Sequence, residues 1–205
     1  MARTYSYHDQ WPVIAQRIQS FNPQNMERFR KPAEFAIAHK QQYIEVEQHS
    51  NAVPWPLIAA FHRRESDADF STYLGNGQPL DQRTTIEPKN RGPFETFLGG
   101  AIDALKIDGL TGVQQPGDQW VLGKLWTSWP IEKQLFFAEK LNGLGYFYKG
   151  IPSPYIWGGT NIQVPGKYVS DGVFDPSVMD TQPGCAPILW MIGHLDSSIQ
   201  FTRET

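Results

Sequence analysis

The residues best suited to chemistry close the run Ile58-Ala59-Ala60-Phe61-His62-Arg63-Arg64-Glu65-Ser66. An α-helix turns by about 100° per residue, so with Leu57 at 0°, Phe61 falls at roughly 40°, Glu65 at roughly 80° and Ile58 at roughly 100°. Glu65 therefore shares a face with apolar side chains, while Arg63 points away and Arg64 lies at the far edge. Partial removal from water disfavours the charged form of a carboxyl, and the negative end of the helix dipole acts in the same direction. A carboxylic acid that keeps its proton near neutral pH is a general acid, the group a glycosidase places at the leaving oxygen. The same spacing equally fits an ordinary helix-end glutamate paired with an arginine.

Cleavage of a glycosidic bond also needs a water or a second carboxylate. The stretch Gly75-Asn76-Gly77-Gln78-Pro79-Leu80-Asp81 follows within a short distance. Its Asn and Gly tolerate positive φ, which makes it a turn. Read from the turn alone, Asp81 is a capping residue. Tyr155 and Trp157, in Ser153-Pro154-Tyr155-Ile156-Trp157-Gly158-Gly159, lie in a Gly/Pro-rich stretch. Flat aromatic faces of this kind pack against pyranose rings or, more often, into a core.

Other chemistries have weaker footing. Cys185 is the single cysteine, so no disulfide forms within the chain. On one helix His194 would lie about 180° around from Cys185 and ~13 Å along, so the two cannot form a nucleophile–base pair. No His-Glu-x-x-His occurs, and His49 and His62 are not at ligand spacing. Asp67 and Asp69 begin like a calcium loop but lack its later ligands. Asp171, Asp175 and Asp180 read as turn residues. No phosphate loop or dinucleotide fingerprint is present. No metal and no cofactor is expected.

The elements that must position these residues follow from composition and periodicity. The chain has 205 residues, 40% hydrophobic and 19% charged, with seven Trp and twelve Phe to build a core. That is globular composition. The net charge of −3 comes with no basic stripe, which argues against a nucleic-acid partner. The first residues contain no apolar signal core, and no window reaches ~18 unbroken apolar residues, so neither a secretory signal nor a membrane span is expected. Helices are predicted over residues 7–20 and over residues 24–49, the latter divided at Pro32, with Phe35, Ala36, Tyr43 and Val46 as apolar positions. Another is predicted from Pro54 or Pro56 to Glu65 or Asp69, opened by prolines whose missing N–H costs little there. Further helices are expected over residues 93–106, 117–126, 130–142 and 184–195, with a small hairpin around Gly75-Asn76-Gly77 and loops over 143–182. The expected fold is mainly α (α+β), a single domain whose N-terminal helices, about residues 1–50, pack on a part spanning about 53–205.

"LIAAFHRRES" resembles the segment of goose-type lysozymes and soluble lytic transglycosylases in which a helix ends in Glu-Ser and the Glu is the catalytic acid. In goose-type lysozymes a β-hairpin region with Asp residues follows; here "GNGQPLD" occupies that place. "KLNGLGY" resembles the superfamily's Asn-x-Gly pattern, and "GKYVSDG" offers a late tyrosine. The usual Gly-Leu-Met-Gln is absent, and Leu141 stands where the superfamily has a Tyr before Asn142. The resemblance implies a lysozyme-like helical domain with the hairpin beside the cleft. It implies Glu65 as general acid and Asp81 as the group that handles water or the developing positive charge. Asn142 and Tyr168 would contact the sugar or hold Glu65, and Ser66, Tyr73 and Gln78, with the aromatic candidates Tyr155 and Trp157, are the other expected substrate contacts.

The implied reaction is cleavage of the β-1,4 bond between N-acetylmuramic acid and N-acetylglucosamine in peptidoglycan, by a muramidase or a lytic transglycosylase. The partner would be peptidoglycan and the protein a monomer. A non-catalytic virion-structural or glycan-binding protein of the same fold is the alternative, and chitin an alternative polymer. Peptidoglycan lies outside the cytoplasm, so holin-dependent release of an endolysin, packaging in a virion, or dedicated export would bring the protein to it.

Overall fold

Nine helices and one two-stranded antiparallel sheet make up the described residues, so the fold is mainly α with a small β element, as expected. The computed structural model describes residues 7–17, 23–50, 52–107, 109, 129–170 and 172–203. The predicted helix over 117–126 and the end of the one predicted over 7–20 lie outside those residues. In order the elements are α1 (Tyr7–Arg17), α2 (Pro23–Ala38), α3 (Lys40–His49), α4 (Trp55–Ser66), α5 (Phe97–Ile107), α6 (Ile131–Leu141), α7 (Gly145–Lys149), α8 (Pro154–Trp157), β1 (Lys167–Ser170), β2 (Val173–Asp175) and α9 (Cys185–Leu195). Among the described residues no helix is long and apolar enough to cross a membrane.

The chain forms two compact units, one from Met1–Ile37 with Pro130–Thr205 and one from Ala38–Trp129. The division falls at the end of α2. Tyr43 and Val46 of α3 are fully buried, and α3 packs on α4 and α5 within the second unit. Pro32 does not divide the second helical segment, as the sequence reading expected; α2 runs through it and the break comes at His39. A proline inside a helix forfeits one hydrogen bond and crowds the preceding turn. Burial of Phe29, Ala33 and Ala36 on the same helix offsets that cost.

In the first unit, α6 is buried continuously from Ile131 to Glu139 and α9 from Cys185 to Leu189. The start of α9 packs on α8 at backbone contact. Gly184 donates its N–H to the Gly158 carbonyl at 2.9 Å. A Cβ on Gly184 would lie 2.2 Å from the Ile156 carbonyl oxygen, and one on Gly158 would lie 2.4 Å from that of Gln182, so only glycine fits at either position.

The β element is not where it was expected. Residues 73–80 form a loop with a single antiparallel bridge, Thr72 to Pro79. The sheet lies instead in the stretch read as loops: Lys167 faces Asp175, Tyr168 faces Phe174 and Ser170 faces Val173, with an irregularity between Tyr168 and Ser170. The Tyr168 and Phe174 rings, 5.3 Å apart, and the Tyr146 ring, 5.2 Å from Tyr168, form an edge-to-face cluster under it. Cross-strand aromatic pairs of this sort stabilise very short ladders.

Candidate active site

α4 begins on two prolines, with Pro54 extended at φ −59° and ψ 134° and Pro56 in the first turn. The Trp55 N–H donates to the Glu47 carboxylate at 3.2 Å, which satisfies one of the unpaired donors of the helix start. The sequence reading gave α4 an apolar face and a wet face. In the structure Trp55 to His62 are all buried, and only the last turn, Arg63 to Ser66, is half-buried. Glu65 therefore sits where a buried rod meets solvent, set there by the depth of the helix end and not by an apolar stripe.

The chain leaves α4 by a tight reversal. Asp67 and Ala68 both adopt left-handed backbone, at φ 57° and 63°. Ala68 donates its N–H to the His62 carbonyl at 3.0 Å, and the Ser66 hydroxyl donates to the same oxygen at 3.1 Å. This closes the carbonyl ends of the helix, as a Schellman-type stop does. Arg63 forms an ion pair with Asp67 across the reversal. Burial, then the neighbouring Arg64, pulls the Arg63 guanidinium below its usual range. Asp69 binds the Ser71 N–H and hydroxyl at 2.9 and 2.7 Å, which lowers its carboxyl.

The loop that follows folds back onto this turn. Gly77, at φ +72°, lies so close that a Cβ there would be 2.7 Å from the Glu65 carbonyl oxygen. Its N–H donates to the Tyr73 carbonyl at 2.8 Å. Asn76 and Gln78 then stitch the loop together. The Asn76 amide donates to the Ile86 carbonyl at 3.2 Å. The Gln78 side-chain oxygen accepts the Thr85 and Ile86 N–H groups at 2.8 and 3.1 Å, and its nitrogen donates to the Thr85 hydroxyl at 2.9 Å. Leu80 is buried and Asp81, next to it, is exposed.

So the structure brings Glu65, Ser66 and the Gly75–Gln78 turn together and leaves Asp81 on the outer side of the same loop. Some other predicted positions are occupied by structural duties. Gln78 spends its amide on the loop backbone. Tyr73 is fully buried, stacked on Phe94 at 5.2 Å and 8°, with its hydroxyl donated to Asp103 at 2.9 Å. Asn142, Tyr155, Trp157 and Tyr168 belong to the other unit. Tyr155 and Trp157, the aromatic groove candidates, lie in α8 with 4% and 1% exposure, so neither presents a face to a sugar. Tyr168 is half-buried, and its N–H donates to the Tyr146 hydroxyl at 3.0 Å. Asn142 is half-buried at the end of α6.

No family model matches the chain, and comparison with known proteins and with solved structures returns no similar one.

His62 enters the sequence analysis only as a metal ligand at the wrong spacing, and Asp103 and Glu139 do not enter it. His62, one turn before Glu65, is fully buried among the rings of Tyr43, Phe70 and Phe97, with its Nδ1 2.9 Å from the Tyr43 hydroxyl. Burial pushes its pKa down to about 4, so it is neutral at pH 7. Asp103, in the middle of α5, holds Arg91 as well as Tyr73. Glu139 of α6 is 1% exposed; it accepts the Phe147 N–H at 3.2 Å, and burial pushes its carboxyl up to about 7. A lone His or Asp inside an apolar helix is a visible signal for the first two. Glu139 gives none, because beside Lys140 in "AEKLNG" it reads as an ordinary surface glutamate. Among the described residues no cluster of three or more His, Cys, Asp or Glu side chains is placed to hold a metal ion.

Proposed function

We propose that the protein cleaves the β-1,4 bond between N-acetylmuramic acid and N-acetylglucosamine in peptidoglycan, as a lysozyme-like glycosidase or lytic transglycosylase with Glu65 as general acid. The observation that carries this reading is the position of Glu65: the half-buried last turn of an otherwise buried helix, with the Gly75–Gln78 turn packed on its backbone. A general acid must be dry enough to keep a proton and open enough to reach a polymer. Glu139 meets only the first condition, being sealed from solvent, and is not a candidate for contact with substrate.

Glu65 protonates the glycosidic oxygen as the bond to the sugar carbon breaks. Asp81, exposed on the stitched loop, orients or deprotonates the attacking water, and the product is then a hydrolysed reducing end with inversion. Without help from a carboxylate, the muramic 6-hydroxyl attacks instead and gives an anhydro end. The two products differ by the mass of one water.

The test is lysis of purified sacculi, with mass analysis of the released fragments. Glu65→Gln is expected to lower the rate by about 10²- to 10⁴-fold while the far-ultraviolet circular dichroism is unchanged. If the wild type and Glu65→Gln are equally inactive on several peptidoglycans and on chitin, the enzyme reading fails and a glycan-binding or virion-structural role replaces it.

A further inference from the structure

The loop from Tyr73 to Arg91 begins and ends on one carboxylate. Asp103 accepts the Tyr73 hydroxyl at 2.9 Å and the Arg91 Nε–H at 2.9 Å on the same oxygen, and a terminal Arg91 nitrogen donates to its other oxygen. A two-pronged Arg–carboxylate pair fixes orientation as well as distance. The Asp103 side chain is 20% exposed, so this pair is less screened than one on the open surface. Arg91 is also tied through its backbone: the Thr84 N–H donates to its carbonyl, and its own N–H donates to the Thr84 hydroxyl, both at 3.0 Å. Thr84 is itself buried.

From Asp103 a continuous path of contacts leads to the proposed acid. The Tyr73 ring is fixed between Asp103 and Phe94. The Tyr73 carbonyl receives the Gly77 N–H, and Gly77 rests against the Glu65 carbonyl. The last contact is close, because a single added methyl group at Gly77 would overlap the Glu65 oxygen.

We infer that Asp103 is a positioning residue, a clamp on both ends of the Tyr73–Arg91 loop that holds the Gly77 turn against the Glu65 helix end. As a statement about the reaction it rests on the glycosidase reading above; as a statement about the loop it does not. Asp103 touches no substrate. Its effect is on where the acid and the loop that bears Asp81 stand when the polymer binds.

Asp103→Asn keeps the shape of the side chain but removes the charge and one acceptor. Three measurements are made on the full chain: hydrogen exchange of the 74–90 amides, thermal stability, and kcat and KM on sacculi. Exchange over 74–90 is expected to rise while the amides of α3 and α4 keep their protection. A misplacement of the order of 1 Å lowers kcat by up to roughly 10²-fold, and KM is expected to stay within about threefold because uniform binding is not what is lost. Tyr73→Phe, which removes only a hydroxyl, should move both readouts in the same direction by less, and Asp103→Glu should recover part of the loss. Wild-type loop exchange and wild-type kcat in Asp103→Asn, with Glu65→Gln inactive, would overturn the clamp and leave the enzyme reading intact. If the wild type cleaves nothing, the enzyme reading fails, and loop exchange alone decides whether the clamp exists. If Asp103→Asn does not fold, Tyr73→Phe decides: unchanged exchange over 74–90 refutes the clamp.

Discussion

Glu65 and Glu139 are both glutamates near the end of a helix, and they occupy opposite environments. Glu139 lies in a continuous run of buried residues, has 1% exposure, and holds its proton to about pH 7 because burial disfavours the carboxylate. Glu65 lies in the half-buried final turn of α4, under a loop held by Gln78 and Asn76. The strong desolvation that the sequence argument looked for at Glu65 is found in full at Glu139, where no polymer can reach it. Depth alone therefore does not make a catalytic acid. A site of that kind belongs at a boundary, and the α4 end is such a boundary.

The difference can be broken most forcefully at Trp157. The ring lies in α8, which packs on α6 and α9 in the unit that contains Glu139. If it is core, Trp157→Ala should cost about 3–5 kcal/mol of stability, the usual toll for a large aromatic deleted from a packed interior. Chemical denaturation measures this directly. A variant of unchanged stability with a raised KM would instead make Trp157 a sugar platform, and the sealed character of the Glu139 region would be lost with it.

The second test uses pH. The carboxyl of Glu139 titrates near 7 in the folded protein and near its ordinary value of 4.5 when unfolded. Between those values the folded state binds more protons than the unfolded state, so stability falls as pH rises. The contribution is fully present below about pH 4.5 and is lost as pH passes through 7. A shift of this size corresponds to roughly 3 kcal/mol at most. Thermal unfolding at pH 5 and at pH 8 should therefore show a larger drop for the wild type than for Glu139→Gln, which cannot ionise. Equal drops would mean that Glu139 is hydrated and that the two acids are not so different. Activity, by contrast, should survive Glu139→Gln at pH 6.

How much of this could be read from the chain depends on whether the cause is local. Pro54 and Pro56 open α4 by local geometry, and its start lies within one residue of either; its end at Ser66 lies one residue past Glu65 and three short of Asp69, the two ends the sequence allows. Leu141 likewise ends α6 before Asn142-Gly143, as the stop signal requires. Pro32 misled because its local cost is offset by tertiary burial of Phe29 and Ala33. The sheet at 167–175 was illegible because strands of four and three residues carry almost no period; what holds them is the Tyr168–Phe174 pairing, a product of register. Glu65 was singled out by helical phase, and its half-buried turn is the observed consequence of where α4 ends. Asp103 could be noticed as the single acid in "FLGGAIDALKI", but its role needs Arg91 and Tyr73, twelve and thirty residues away, to be placed beside it.

The smallest expected effect concerns what holds the Glu65 turn. Arg63 and Asp67 form an ion pair across the reversal, and a surface-minded reading would make that pair the fastener. The Asp67 side chain is 77% exposed, however, and pairs of that exposure contribute only ~0.2–1 kcal/mol. The backbone offers a stronger reason for the residue type: at φ 57°, Asp and Asn are the non-glycine residues best tolerated. Asp67→Asn deletes the charge and keeps that tolerance, so it should change stability by less than about 0.5 kcal/mol and leave sacculus lysis unchanged. Asp67→Val deletes the charge and adds a β-branched side chain in left-handed backbone, which should cost about 1–2 kcal/mol more. Parallel denaturation curves of the two variants separate the contributions. If Asn is as damaging as Val, charge holds the turn and high salt should loosen it; if only Val is damaging, the turn is held by backbone geometry and by Gly77 against the Glu65 carbonyl, and salt should leave it in place.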